Sequence, residues 1–174
     1  MQRLTEAVAK MAPPMGVFDD TVVGNLFPKH SVGARRALVH RAVRRGEILR
    51  AKPGLYCLAE MWRRSAFHPF AFASVLLTPS HVSLESALQY HGLIPEAVRT
   101  IASVTTLRAR SFDTAVGYFS YDTIPSSHPR AGVRSLEVSR DVWAFVATPL
   151  RAIADLVYLR RDVDAADGLA FVTE

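Results

Sequence analysis

SVGARRALVHRAVRRGEILRAKPGLYCL, residues 31–58, runs from a basic helical segment through one glycine into two short apolar runs joined at Lys52-Pro53-Gly54. Spaced at about 100° per residue, Leu38, Val39, Ala42 and Val43 fall on one side of the helix, with Val32 beside them. Gly33, Ala37, His40 and Arg44 fall on the opposite side, flanked by Arg36 and Arg41. Arg35 points nearer the apolar stripe, and Arg45 lies at its margin, suited to pair with a local acid. Gly46 is in the position that ends a helix. Glu47–Arg50 and Leu55–Leu58 then read as two strands around the turn Ala51–Gly54.

A run such as RRALVHRAVRR is also what a plain solvated helix face looks like. The glycine and hairpin behind it decide the reading. A helix with small residues near its start and cations further along can approach base edges closely. Its arginines can donate paired hydrogen bonds to guanine or phosphate. Arg50 and Lys52 sit at or near the hairpin tip, where a flanking phosphate would lie. The predicted duplex-binding set is Lys29, Ser31, Arg35, Arg36, His40, Arg41, Arg44, Arg50 and Lys52. Tyr56 is read as a strand residue packing on the core.

Upstream, Leu4, Val8 and Met11 recur at helical spacing, so a first helix is expected over 2–11, stopped by Pro13 and Pro14. Asp19 is a good N-cap for a second helix carrying Val22, Val23, Leu26 and Phe27, which Pro28 ends. Lys29 and His30 form the turn, and Ser31 caps the third helix. Three helices followed by a hairpin make a winged helix-turn-helix.

The charge agrees with this division. The net charge is +5, but residues 1–64 hold twelve Lys/Arg and five Asp/Glu, whereas residues 65–174 hold nine and eleven. A localised basic field attracts phosphate backbones by releasing their counterions. The expected domains are therefore 1–64, the DNA-binding part, and 65–174, with another role. A hydrophobic content of 49% with 21% charged residues places the chain among globular proteins. No apolar run reaches the roughly 18 residues of a membrane span, and the charged N-terminus has no apolar stretch behind it to act as a secretory signal. A cytoplasmic protein is expected. The single cysteine, Cys57, excludes an internal disulfide and reads as a small packed hydrophobe.

From Pro69 the pattern suggests a helix over Phe70–Leu77, then Thr78-Pro79, a short extended stretch at Val82, and a helix from Leu84 to His91 capped by Ser83 and closed by Gly92. Strands follow at Ser103–Leu107, Gly117–Ile124, Leu136–Val138 and Val142–Val146. Thr148-Pro149 opens a closing helix with Ile153, Leu156, Val157 and Leu159 on its apolar side. The fold class is α+β, an N-terminal winged helix followed by a small α+β domain with a mostly antiparallel sheet.

Catalytic patterns are weak. His81, Glu85 and His91 could be imagined as a metal set, yet their spacing matches no standard zinc pattern. Ser83 and Ser86 lack a nucleophile-elbow setting. Asp122, Glu137 and Asp155 would be the carboxylates of a nuclease set, although isolated acids on separate elements are usually solvated or paired. No enzyme, metal or cofactor is expected.

Three segments together resemble the AbiEi-type antitoxins of type IV, or abortive-infection, toxin–antitoxin systems. They are RRGEILRAKPGLYCL at Arg44–Leu58, HVSLESALQYHGLIPE at His81–Glu96 and ATPLRAIADLVY at Ala147–Tyr158. VTTLRARSF and GYFSYDTI are similar to the family's strand region. The resemblance spans nearly the whole chain, and the second segment is the most specific. It implies a winged helix that binds inverted repeats in its own operator and represses the operon. It also implies a C-terminal domain that counteracts a nucleotidyltransferase-like toxin without forming a stable complex with it. The family often carries Glu after the proline of the third segment, where this sequence has Leu150. Two other functions fit the residues: a winged-helix regulator whose C-terminal domain senses a ligand, and a metal-dependent nuclease.

Overall fold

The computed structural model describes residues 3–95 and 99–160. They form two compact units, one of residues up to Phe67 together with Thr114–Val116, the other of His68–Asp113 and from Gly117 on.

In the first unit the helices are α1 (Leu4–Met11), α2 (Asp20–Leu26) and α3 (Val32–Arg44), and the strands are β1 (Val17–Asp19), β2 (Ile48–Lys52) and β3 (Leu55–Leu58). The expected caps form. Asp19 accepts from the Val22 amide at 2.9 Å, and Ser31 from that of Ala34 at 3.2 Å. At the far end of α3, Gly46 adopts φ +68°. Its amide bonds Val43 O at 2.9 Å and the Glu47 amide bonds Ala42 O at 3.1 Å. This pair of reversed bonds satisfies carbonyls that the helix end leaves free, and the left-handed backbone it needs suits glycine.

Leu4 and Val8 of α1, Val23 of α2 and Phe27 at its C-cap, Leu38, Val39 and Ala42 of α3, and Ile48, Tyr56 and Leu58 of the hairpin share one core. Val32 does not join it. It is 61% exposed because it opens α3, before the turn where Leu38 first buries the helix.

The hairpin is longer than the sequence suggests. Strand β2 continues through Lys52, with a bulge between Arg50 and Lys52, so the turn contracts to Pro53-Gly54. Gly54 has φ +78°, the backbone that a Pro-Gly turn asks of its second residue. Strand β1 was not expected from the sequence. It pairs antiparallel with β3, Phe18 opposite Tyr56, giving sheet order β1-β3-β2.

The second unit contains α4 (Pro69–Leu76), β4 (Ser80–Val82), α5 (Leu84–Tyr90), β5 (Thr100–Thr105), all but the last residue of β6 (Arg110–Thr114), β7 (Gly117–Thr123), β8 (Val133–Ser139), β9 (Val142–Ala147) and α6 (Pro149–Leu159). Its sheet runs β6-β7-β5-β4-β9-β8. The expectation of a mostly antiparallel sheet is corrected here. β4 pairs with β5, and β8 with β9, antiparallel, but β5–β7 and β4–β9 are parallel, so the sheet is mixed. Alternation of apolar residues reports which face of a strand is buried. Direction follows from the connections, which it does not encode.

Both faces of this sheet are covered. Phe72 of α4 packs edge-on against Phe119, and Tyr121 donates to Ala73 O at 2.6 Å. Ala102 and Val104, on the opposite face by register, cluster with Leu84, Ile124, Leu156 and Leu159. Thr148 and Pro149 open α6 as expected. Ser83, expected to cap α5, occupies the N-cap position without capping. Its hydroxyl instead donates to Asp155 Oδ2 at 2.6 Å, a short charge-assisted bond that fixes the side chain toward α6. No helix of the described residues is long and apolar enough to cross a membrane.

Candidate nucleic-acid interface

The third helix presents Arg36, His40, Arg41 and Arg44 to solvent, while Leu38, Val39 and Ala42 are buried. A helix with one apolar stripe docks on it and projects what lies opposite. The cations of the last turn, Arg41 and Arg44, also suit the negative end of the helix dipole. Arg50 lies opposite Tyr56 in the hairpin, and its side chain is exposed.

An open cleft joins the two elements. Arg36 and His40 line it from α3, Arg50, Pro53, Gly54 and Tyr56 from the hairpin, and Val39 and Val43 from the apolar edge of α3. Three residues of the predicted set, Arg36, His40 and Arg50, thus meet at one concavity.

The rest divide by environment. Lys29 is exposed in the turn between α2 and α3, and the Ser31 hydroxyl is used as a helix cap. Lys52 is half-buried at the end of β2. Arg35 turns back toward α2, where Nε donates to Phe27 O and Nη2 to Pro28 O, both at 3.0 Å. Arg45 pairs with Glu47, as its position at the stripe's margin suggests. Its Nε and Nη2 reach the two carboxylate oxygens at 2.9 and 3.1 Å. Thr5 of α1 adds a bond to Glu47 at 2.7 Å. The hydrogen bonds from Arg45 and Thr5 hold the Glu47 carboxyl below its ordinary pKa.

One group in the cleft has the opposite sign. Asp20, the first residue of α2, lines it too. Tyr56 is packed on Phe18, ring centroids 5.6 Å apart, and donates to Asp20 Oδ1 at 3.2 Å. Burial, then the Asp20 charge, raise the Tyr56 phenol's pKa. Asp20 reaches the cleft because β1 pairs with β3, and the Asp20 amide bonds Gly54 O at 3.3 Å. A three-residue strand leaves too little periodicity to reveal that approach.

Elsewhere the acids and histidines scatter. His81 Nε2 lies 3.6 Å from Asp155, Glu85 pairs with Arg160, and His91 Nε2 bonds Ala147 O at 2.9 Å. Burial, then the Glu85 charge, raise the pKa of Asp122, with Arg160 opposing. Glu137 accepts from the Asp141 amide at 2.9 Å in the β8–β9 turn. Asp155 is buried among Ser83, His81 and Arg151, whose Nε donates at 2.7 Å. The three acids of the imagined nuclease set therefore have three separate surroundings. Among the described residues no three His, Cys, Asp or Glu side chains gather as metal ligands. Cys57 is fully buried, and burial pushes its thiol up to about 11, away from a nucleophile's range.

Neither a scan against protein-family models nor a search of curated proteins finds a match to this chain.

Proposed function

We propose that this protein is a DNA-binding transcriptional repressor of the winged helix-turn-helix type, with α3 as recognition helix and β2–β3 as wing. The observation that carries the reading is the cleft where Arg36 and His40 of the helix meet Arg50 of the hairpin. A duplex engages such a head by admitting the helix to its major groove while the hairpin grips flanking phosphates. In this role Arg36 and Arg44 address base edges or phosphates, and Arg41, Arg50, Lys29 and Lys52 supply backbone attraction. The excess of Lys and Arg in residues 1–64 favours the same partner.

The sequence resemblance extends the proposal. The operator carries inverted repeats in the protein's own promoter, and the remaining domain counteracts a nucleotidyltransferase-like toxin without a stable complex. The protein acts in the cytoplasm, without catalysis, metal or cofactor.

The test is binding of the full chain to fluorescent duplexes tiling the region upstream of its gene. One segment should bind far more tightly than scrambled DNA, with affinity falling steeply as salt rises. Arg36→Ala and Arg44→Ala should each lower that affinity by about 1–3 kcal/mol if they touch bases. Unchanged affinity in the double variant overturns the assignment of α3. A nucleotidyltransferase reading frame beside the gene supports the antitoxin role. Its absence, with no rescue of cells expressing such a toxin, removes that part of the proposal.

A further inference from the structure

A further cavity, chemically unlike the basic cleft, lies within the other unit. It encloses about 200 Å³, below the roughly 300–1,000 Å³ of drug-sized sites, so an occupant is small. Val104, Ile124, Val133 and Phe145 give it apolar walls. Two polar atoms are left over in its lining. Ser74 Oγ and His81 Nε2 are shielded from solvent and have no hydrogen-bond partner among the described residues. His81 is 7% exposed, and its Nε2 faces Asp155 Oδ2 at 3.6 Å, within reach of the carboxylate's charge but beyond hydrogen-bond length. Buried polar groups without partners carry a desolvation cost that a bound group can relieve.

Partners distinguish the two arginines of the lining. Arg151 is committed, donating to Asp155 and to Ala131 O. Arg130 is exposed, with its guanidinium carbon 5.2 Å above the Phe145 ring. A flat cation held over an aromatic wall beside an apolar chamber presents a fork for a carboxylate and a surface for a ring.

We propose that this cavity is a binding site for a small aromatic monocarboxylate. The ring occupies the chamber between Val104, Ile124 and Phe145. The carboxylate pairs with Arg130 through one oxygen and offers the other as acceptor to the Ser74 hydroxyl. The site is independent of the DNA-binding reading, since its test contains no DNA.

Benzoate and its neutral isostere benzamide are titrated into the full chain by calorimetry, with thermal melting as a second readout. Benzoate should bind and raise the melting temperature, and benzamide should bind about tenfold or more weakly, as expected when a charge-assisted pair is lost. Arg130→Gln gives up only the exposed contact with the Phe145 ring, so it should lower the ligand-free melting temperature slightly while reducing benzoate affinity by about tenfold. Ser74→Ala should fold at least as well as the parent and bind benzoate several-fold more weakly. The proposal is overturned if neither compound binds at millimolar concentration, which is the result a merely hydrated cavity gives. It is equally overturned if acid and amide bind alike, or if Arg130→Gln binds benzoate as the parent does.

Discussion

Arg35 Nε donates to the carbonyl oxygen of Phe27 at 3.0 Å, tying the first turns of α3 to the end of α2. Its second bond, to Pro28 O, fastens the turn that follows α2. This arginine thus holds the angle at which α3 leaves the turn. Arg35→Ala should lower unfolding free energy by about 1.5–3 kcal/mol, the worth of hydrogen bonds to a charged group, read as a shift in the urea midpoint. On the proposed DNA-binding role, any preference for one duplex over a scrambled one should be unchanged among molecules that remain folded. A loss of preference with full stability would return Arg35 to the recognition surface.

Asp20 tests the same surface with the sign reversed. It lies in the cleft with Arg36 and Arg50, where its charge opposes an approaching phosphate. Asp20→Asn retains an acceptor for the Tyr56 hydroxyl while removing the charge. Duplex affinity should rise by a few tenths to about 1 kcal/mol at low salt, the scale of an exposed charge interaction, and the gain should shrink as salt is added. Anisotropy titrations at two ionic strengths measure this. A fall in affinity would place Asp20 on the binding side as a base-edge acceptor.

These two residues also mark where sequence reading succeeds and stops. The caps at Asp19 and Ser31 and the stop at Gly46 are local rules, each written within a few residues, and all recur in the fold, whereas the turn expected over Ala51–Gly54 narrows to Pro53-Gly54. The outward-facing Arg36, His40 and Arg44 follow from helix periodicity. What needed long-range pairing was illegible. Strand β1 is three residues long, and β6 follows a turn with little alternation of its own. Asp20 enters the cleft through a pairing with a strand 36 residues away from it. Ser83 follows the N-cap rule by position, yet its hydroxyl answers Asp155, 72 residues on. The parallel pairs β5–β7 and β4–β9 are likewise set by chain connections rather than strand composition.

The Asp155 cluster governs acid stability of the second unit. Burial pushes its carboxyl pKa up, but the His81 imidazole, Ser83 and Arg151 outweigh burial and leave it below the ordinary 3.8. A depressed folded-state pKa contributes stability that is full above the unfolded value near 3.8 and is lost as pH falls through the lower folded value. Asp155→Asn strips Arg151 of its buried partner and should destabilise the protein by about 3–5 kcal/mol at neutral pH. The gap between parent and variant should narrow as pH drops below 3.8. Urea midpoints across an acid series read both effects, and a gap constant with pH would detach the carboxylate charge from stability.

Cys57 reports on the first unit from the alkaline side. Its side chain is fully buried in β3, with Sγ 3.5 Å from Met15 O and 3.4 Å from Leu58 O. Burial raises the thiol from its usual 9.0 to about 11, so the folded protein keeps the proton while an unfolded chain has begun to lose it. The resulting stability is full below 9.0 and is lost as pH rises toward about 11, amounting at most to about 2–3 kcal/mol at 1.36 kcal/mol per unit. Cys57→Ala removes this dependence, so the stability difference between parent and variant should shrink through that window. The native thiol should resist a thiolate-specific reagent at pH 8 and react once urea unfolds the unit. Rapid labelling of the folded protein, at the rate of a free thiol, would show that β3 opens far more readily than its packing allows.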